Sequence, residues 1–290
     1  MYEKHILIFN KLSNIYDSLG DEIRVTAYHN LSKRLELNDL GGITEKSESK
    51  IDEITRTGRL KILDNLEKDK TIKDRIRLVK IIGVGPKQAE KLENQGVNNF
   101  REFKKLDNHT KLQKLGIKYF NKLDNPPPSV FKKIKDILTR NLNNLLKLEI
   151  AGSYRTGNKN PNDIDLIVCT KTGEIKPILE LMKQKKILED YLHSSENDIF
   201  GIIKVKDFFY KIDIKCVLPK YFYSYLLYFG SGKYFSKYIR GLAKQKGYKL
   251  NRYGVTNLKT GELKTFRSEE GIFKFLNIPY YTPKERMKFF

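Results

Sequence analysis

Three consecutive prolines, Pro126-Pro127-Pro128, divide the chain into two parts that cannot share one kind of secondary structure. Proline fixes its own φ, lacks an amide hydrogen and pushes the preceding residue out of the helical region, so no helix runs through this point. Before it the pattern is helical, with short connections rich in Gly, Asn and Asp. Ile23, Ala27, Leu31 and Leu35 recur four apart and predict one apolar face. After it Phe131, Ile134, Ile137, Leu138, Leu142, Leu145 and Leu146 predict one amphipathic helix, and the chain then changes to period-two alternation. Strands are expected over residues 148–151, 163–170, 199–205 and 208–218, forming a mixed sheet with helices on it. A small α+β segment is expected from about Lys220, with short strands at 253–255 and 262–265.

The β-type part carries Gly152-Ser153-Tyr154-Arg155-Thr156-Gly157, followed by Asp163-Ile164-Asp165 and the apolar run Leu166-Ile167-Val168. Residues i and i+2 of a strand share a face, so Asp163 and Asp165 present two carboxylates side by side. Such a pair needs a cation, and Mg²⁺ is held by one or two carboxylates together with substrate phosphates and water. The Gly-Ser turn can bring backbone N–H groups and a hydroxyl to those phosphates, which suggests chemistry on a nucleotide. A third carboxylate, Asp213, lies in the alternating run from Tyr210 to Val217. Beside the other two it would complete a site for two metals about 4 Å apart, suited to in-line displacement, with Asp213 nearest the nucleophile. The alternative is a solvent-facing strand residue among lysines.

Charge points to the partner. Lys and Arg number 56 against 35 Asp and Glu, a net charge of +21 spread along the chain, and a long polyanion is the expected ligand. A lysine-rich surface inherited from an A/T-rich genome is the alternative. Cys169 and Cys216 are too few for a disulfide framework or a zinc site. Alternation puts Cys169 on the face of Asp163 and Asp165 and Cys216 opposite Asp213, so both are expected as buried free thiols. Neither Ile6-Leu7-Ile8-Phe9 nor the aromatic run from Tyr221 to Phe229 is long enough for a signal peptide or a membrane span, so a soluble intracellular protein without a membrane partner is expected.

In the helical part, Gly83-Val84-Gly85-Pro86-Lys87 fits the helix-hairpin-helix pattern, which aims backbone N–H groups at a nucleic-acid phosphate and positions a duplex without reading it. A plain helix connection could use the same residues. A weaker copy, Leu40-Gly41-Gly42-Ile43-Thr44, has Thr44 in place of the second hairpin glycine.

The order of hairpin, Gly-Ser segment, Asp-x-Asp and later Asp resembles the family X DNA polymerases, the polymerase beta group. Tyr228-Phe229-Gly230-Ser231-Gly232-Lys233-Tyr234-Phe235, then Arg240 and residues 246–251, resembles the family's nucleotide-selecting subdomain, and residues 279–286 are similar to its C-terminal segment. The resemblance implies an α+β multidomain fold: an all-helical lyase-like domain (1–66), a helix-hairpin-helix fingers domain (67–125), a nucleotidyltransferase palm with a mixed β-sheet (126–219) and a small α+β thumb or nucleotide-selection subdomain (220–290). It implies that Asp163, Asp165 and Asp213 hold two Mg²⁺ ions, with Mn²⁺ as a substitute. Gly152 and Ser153 would contact the triphosphate. Tyr228, Phe229 and Gly230 would line the sugar, Lys233 and Ser236 would lie near the base, and Arg240 would reach the template strand.

At Lys46-Ser47-Glu48-Ser49-Lys50 the chain is similar to the family's lyase domain, with Lys50 in the place of the Schiff-base lysine and Lys46 in that of a phosphate-binding neighbour. A lysine attacks a sugar aldehyde only as the free amine, which a neighbouring cation favours. Tyr28 matches a supporting aromatic position and Arg24 a phosphate contact. Lys50 read without the family is one exposed lysine among many.

Several positions depart from the family. Thr156 stands where a second arginine is usual, removing a charge-assisted phosphate contact, and Lys122 is a candidate replacement. The connection between Tyr28 and Gly42 is short. A palm arginine that exchanges an acidic partner during closure is matched here by Lys215, and its partner by Arg252, so the two cations are expected to repel. Lys233 replaces a smaller or acidic residue near the nascent base pair.

The implied activity is template-directed filling of short gaps, with a 5′-deoxyribose phosphate lyase as a second activity in base excision repair. The implied substrates are gapped or nicked duplex DNA and deoxynucleoside triphosphates, with a DNA ligase as a candidate partner of a monomeric enzyme in a nucleus or, for a viral chain, a cytoplasmic factory. The alternatives are an untemplated nucleotidyltransferase and a non-catalytic scaffold for DNA ends.

Overall fold

The computed structural model describes residues 2–193 and 195–289. The chain divides into an N-terminal unit ending at Phe120 and a C-terminal unit beginning at Asn121. That division falls ahead of the proline run because Leu123 bridges Phe209 and Asp124 donates its N–H to the Phe209 carbonyl, which attaches residues 123–124 to the sheet of the second unit.

The N-terminal unit is helical throughout: α1 (Glu3–Leu19), α2 (Glu22–Glu36), α3 (Glu45–Thr57), α4 (Lys61–Lys68), α5 (Lys70–Val79), α6 (Pro86–Asn94), α7 (Phe100–Lys104) and α8 (Lys111–Tyr119). Side-chain oxygens set most of the starts. Asp21, Thr44, Asp69 and Asn99 each accept from a backbone N–H of the first turn, and Thr110 with Gln113 forms a reciprocal capping box. The cap at Thr44 explains the weaker hairpin copy, since a hydroxyl there does what a second glycine cannot. One apolar cluster joins Phe9, Leu12, Tyr16, Tyr28 and Ile54, and another joins Leu78, Ile81, Val84, Leu92 and Phe103.

The expected face of α2 is corrected. Ile23 is 83% exposed and Ala27 is exposed, whereas Val25, Tyr28, Leu31, Ser32 and Leu35 are buried. A strict spacing of four advances about 40° per step on a helix of 3.6 residues per turn, so Ile23 and Leu35 stand about 120° apart and cannot share one contact face.

In the C-terminal unit, α9 (Pro128–Asn141) leads to β1 (Leu145–Ile150), α10 (Gly152–Arg155), β2 (Ile164–Thr170), α11 (Lys176–Gln184), β3 (Leu188–His193), β4 (Asp198–Val205) and β5 (Phe208–Val217). The single helix expected through Leu146 ends at Asn141, and Leu145 and Leu146 begin β1 instead. The sheet order is β1-β2-β5-β4-β3, with β2 and β5 parallel and the other pairs antiparallel. β3 was not legible in the alternation. One sheet face buries Ile164, Leu166, Val168, Ile212, Ile214 and Cys216 under α9 and α11 residues.

The other face buries Ala151, Ile167, Cys169 and Val217 against Phe222, Tyr225 and Leu226 of α12 (Phe222–Phe229). Both cysteines are buried and free. α13 (Lys233–Gln245) follows, then β6 (Tyr248–Asn251), β7 (Gly254–Asn257), β8 (Leu263–Lys264) and α14 (Glu269–Phe275). Tyr253, expected in a strand, lies in the turn between β6 and β7, where its N–H bonds the Asn251 side chain. Among the described residues no helix is long and apolar enough to cross a membrane.

Candidate active site

The register of β2 against β5 sets Asp165 directly opposite Asp213. Asp163 precedes β2 by one residue on the face of Asp165, and Asp213 shares that face as the period of two requires. Behind Asp165 the backbone closes tightly. Ala151 N–H donates to the Asp165 carbonyl at 2.9 Å, and a Cβ on Gly152 would sit 1.8 Å from Asp165 Oδ2. Gly152 also has φ +58°, so both space and conformation demand glycine. Tyr154 stacks on Phe131 at 4.1 Å and so ties the short α10 turn to α9.

Three acids this close cannot all ionise freely in a buried setting. Burial, then the charges of Asp163 and Asp213, push the Asp165 carboxyl up to about 7. Burial also raises Asp213, and Lys215 offsets part of that rise. Lysines supply the countercharge here. Lys215 Nζ stands 2.9 Å from Asp213 Oδ1, and Lys211 Nζ 3.8 Å from Asp163 Oδ2. Among the described residues no three His, Cys, Asp or Glu side chains gather tightly enough to enclose a metal ion. The donor set nevertheless fits a hard divalent cation: carboxylate oxygens on one face, with Asp165 buried between two other acids.

The expected repulsion between Lys215 and Arg252 is offset by a residue that sequence reasoning missed, which lies between them. Asp198, opposite Lys215 on β4, places Oδ2 3.8 Å from the Lys215 ammonium and 4.0 Å from the Arg252 guanidinium. Arg252 also bonds the Tyr253 hydroxyl and lies over the rings of Tyr253 and Tyr225.

Gly230 meets the Gly-Ser turn. Its carbonyl accepts from Arg155 Nη1 at 3.2 Å, while Arg155 Nη2 lies 2.5 Å from Glu269 Oε2. Glu269 in turn holds the buried Arg286, which also donates to Ser231 Oγ. Phe229 lies under the Lys215 ammonium at 5.6 Å. Tyr228, Ser236 and Arg240 border one small cleft, where Arg240 donates to the Ser236 carbonyl and its guanidinium lies 5.7 Å from the Tyr228 ring. Lys233 opens α13 on the exposed side.

Thr156 is buried and donates its hydroxyl to the Ser153 carbonyl, so it faces inward. Lys122 precedes Leu123, which bridges Phe209, four residues before Asp213 along β5.

In the N-terminal unit, Lys50 donates to the Lys46 carbonyl and lies over the Tyr28 ring at 5.9 Å. Tyr28 stacks on Tyr16, and the Arg24 guanidinium covers Tyr16 while paired with Asp21. Lys50, Tyr28 and Arg24 thus gather around one aromatic stack, with Lys46 exposed a turn away. In the hairpin, Gly83 has φ +85° and faces Gln113, Val84 is buried, Gly85 starts α6 with open space at its Cα, and Lys87 is exposed.

Residues 128–219 match the DNA polymerase beta palm, and residues 225–287 match the DNA polymerase beta thumb. The two matches adjoin in the order of the fold and together span more than half of the chain. The chain belongs to the family X DNA polymerases. DNA polymerase lambda of Arabidopsis thaliana is 28% identical over 96% of the chain, and that of Rattus norvegicus 24% identical over 95%. The DNA polymerase/3′-5′ exonuclease PolX of Bacillus subtilis is 26% identical over 99% of the chain. The chain spans 61%, 54% and 55% of the lengths of these three relatives. Within a family X polymerase the acid cluster described above occupies the palm, and Tyr228 to Arg286 the thumb.

Proposed function

We propose that this family X member fills short gaps in duplex DNA, joining to an upstream 3′-hydroxyl the deoxynucleotide that the template base selects. The observation that carries the reading is Asp165 opposite Asp213 with Asp163 on the same face, next to a Gly-Ser turn that is bonded to Gly230. Asp163, Asp165 and Asp213 would hold two Mg²⁺ ions, or Mn²⁺ in their place, which when bound neutralise charge on the attacking and leaving oxygens.

The protein's own part is orientation. Ser153 and the Gly152 backbone lie against the phosphates, Tyr228, Phe229 and Gly230 against the sugar, and Lys233 and Ser236 near the base. Arg240 reaches the template strand. Gly83, Gly85 and Lys87 hold a duplex phosphate. The resulting nick suits a DNA ligase, and one copy of the chain suffices.

In the lyase-like segment Lys50 would condense with the aldehyde of a 5′-deoxyribose phosphate, releasing water. β-Elimination would then free the DNA 5′-phosphate, while Lys46 and Arg24 hold phosphate and Tyr28 supports the amine. The domains would divide at about residues 66, 125 and 219, matching lyase-like, fingers, palm and thumb parts.

Purified chain with Mg²⁺ and a one-nucleotide gap should insert the base complementary to the template. Equal insertion of all four bases would favour an untemplated transferase, and no insertion with either cation would favour a scaffold.

A further inference from the structure

Within residues 152–157 the basic side chain is tied up inside the protein, which leaves Lys159, two residues on, and a neighbour from elsewhere in the fold to meet the phosphates. Arg155 is committed to Glu269 and to the Gly230 carbonyl, and Thr156 points inward. Two Mg²⁺ ions on the carboxylates would offset part of the charge of a triphosphate there, and a protein cation beside the turn would offset more.

The C-terminal segment brings one. Lys284 lies along Gly157, with Cγ 3.7 Å and Cε 3.8 Å from the point that a Cβ on Gly157 would occupy. Gly157 has φ +99°, a conformation that favours glycine, and the lysine stem runs past it at van der Waals distance. The base of that stem is fixed. Arg286, 1% exposed, is bonded to Glu269, Ser231 and the Tyr281 carbonyl, and Glu285 caps the turn by accepting from Thr282 N–H at 2.7 Å. Lys284 itself is exposed, with its stem anchored over the turn. Resting on the polymerase reading, we infer that Lys284 is the cation that grips the outer phosphates of the incoming deoxynucleoside triphosphate, in place of the side chain at Thr156.

The test is equilibrium binding of a deoxynucleoside triphosphate to the full chain on gapped DNA whose primer ends in a dideoxynucleotide, which blocks the reaction. Lys284→Met keeps the stem over Gly157 and removes the charge. It should weaken triphosphate binding about ten- to a hundred-fold, the range of one charge-assisted hydrogen bond, while gapped-DNA affinity stays unchanged. Lys284→Arg should bind as the wild type does, and Thr156→Arg added to Lys284→Met should restore binding. The preference for triphosphate over diphosphate should shrink in Lys284→Met.

Triphosphate affinity within two-fold of wild type in Lys284→Met overturns the assignment. So does a loss that appears in Lys159→Met and not in Lys284→Met. Templated insertion by the wild type, measured alongside, separates the two claims: if it is present while Lys284→Met is silent, only the lysine assignment fails. A wild type that neither inserts nor binds nucleotide overturns both.

Discussion

Asp198 and Lys215 face each other across β4 and β5, with 3.8 Å between carboxylate and ammonium. The same carboxylate neutralises Arg252, so one buried acid holds two cations next to Asp213. Asp198→Asn leaves both cations without their shared anion. It should cost about 2 kcal/mol in urea unfolding, below the range for a tight buried pair because the contacts are long. Arg252→Gln should recover part of that loss, since it removes one of the stranded charges.

Gly152→Ala tests the closeness of the turn to Asp165. The added Cβ has no room 1.8 Å from Oδ2, and the left-handed φ costs about 1–2 kcal/mol for any residue but glycine. Synthesis should fall at least about a hundred-fold, the scale expected when a reacting group is displaced by an ångström, with gapped-DNA binding retained. Kinetics on a defined gap together with a binding titration check this.

Legibility followed locality. Asp163 and Asp165 could be read because a strand's period of two orders them without knowledge of the rest of the fold, and Gly83 to Lys87 because a turn announces itself in consecutive residues. The place of Asp213 beside the pair came with the β2–β5 register. Asp198 could not be read this way, because its partners lie 17 and 54 positions away and meet it only through sheet order. Arg155, Glu269 and Arg286 escaped for the same reason. Leu145 and Leu146 misled because apolar residues at helical spacing continued past the break at Asn141, and Ile23 because a spacing of four drifts around a helix. The functional roles of these residues were legible only through family resemblance.

The acid cluster should make the metal-free protein pH-sensitive. Asp165 sits at about 7 in the folded chain against an ordinary value near 4, so between those pH values the folded state keeps a proton that the unfolded state has lost. Stability without metal should therefore fall as pH rises from about 4 to about 7 and level off above. Asp165→Asn should flatten that slope and raise the melting temperature of the metal-free protein at pH 8. Thermal melts in a chelator at several pH values check the sign, and an unchanged slope in the variant would place the titrating group elsewhere.

Lys50 stands over Tyr28 beside Lys46. Borohydride should trap a covalent adduct between the chain and DNA carrying a 5′-deoxyribose phosphate, and Lys50→Ala should lose it. Undiminished trapping would assign the amine to another lysine.

The face shared by Asp163, Asp165 and Asp213 is the centre of the account, and Asp213→Ala on a one-nucleotide gap tests it most directly. The wild type should insert the template-matched nucleotide with Mg²⁺, and the variant should lose insertion at least about a thousand-fold while binding gapped DNA within two-fold of wild type. Insertion by Asp213→Ala near the wild-type rate would contradict the assignment of this face as the active site.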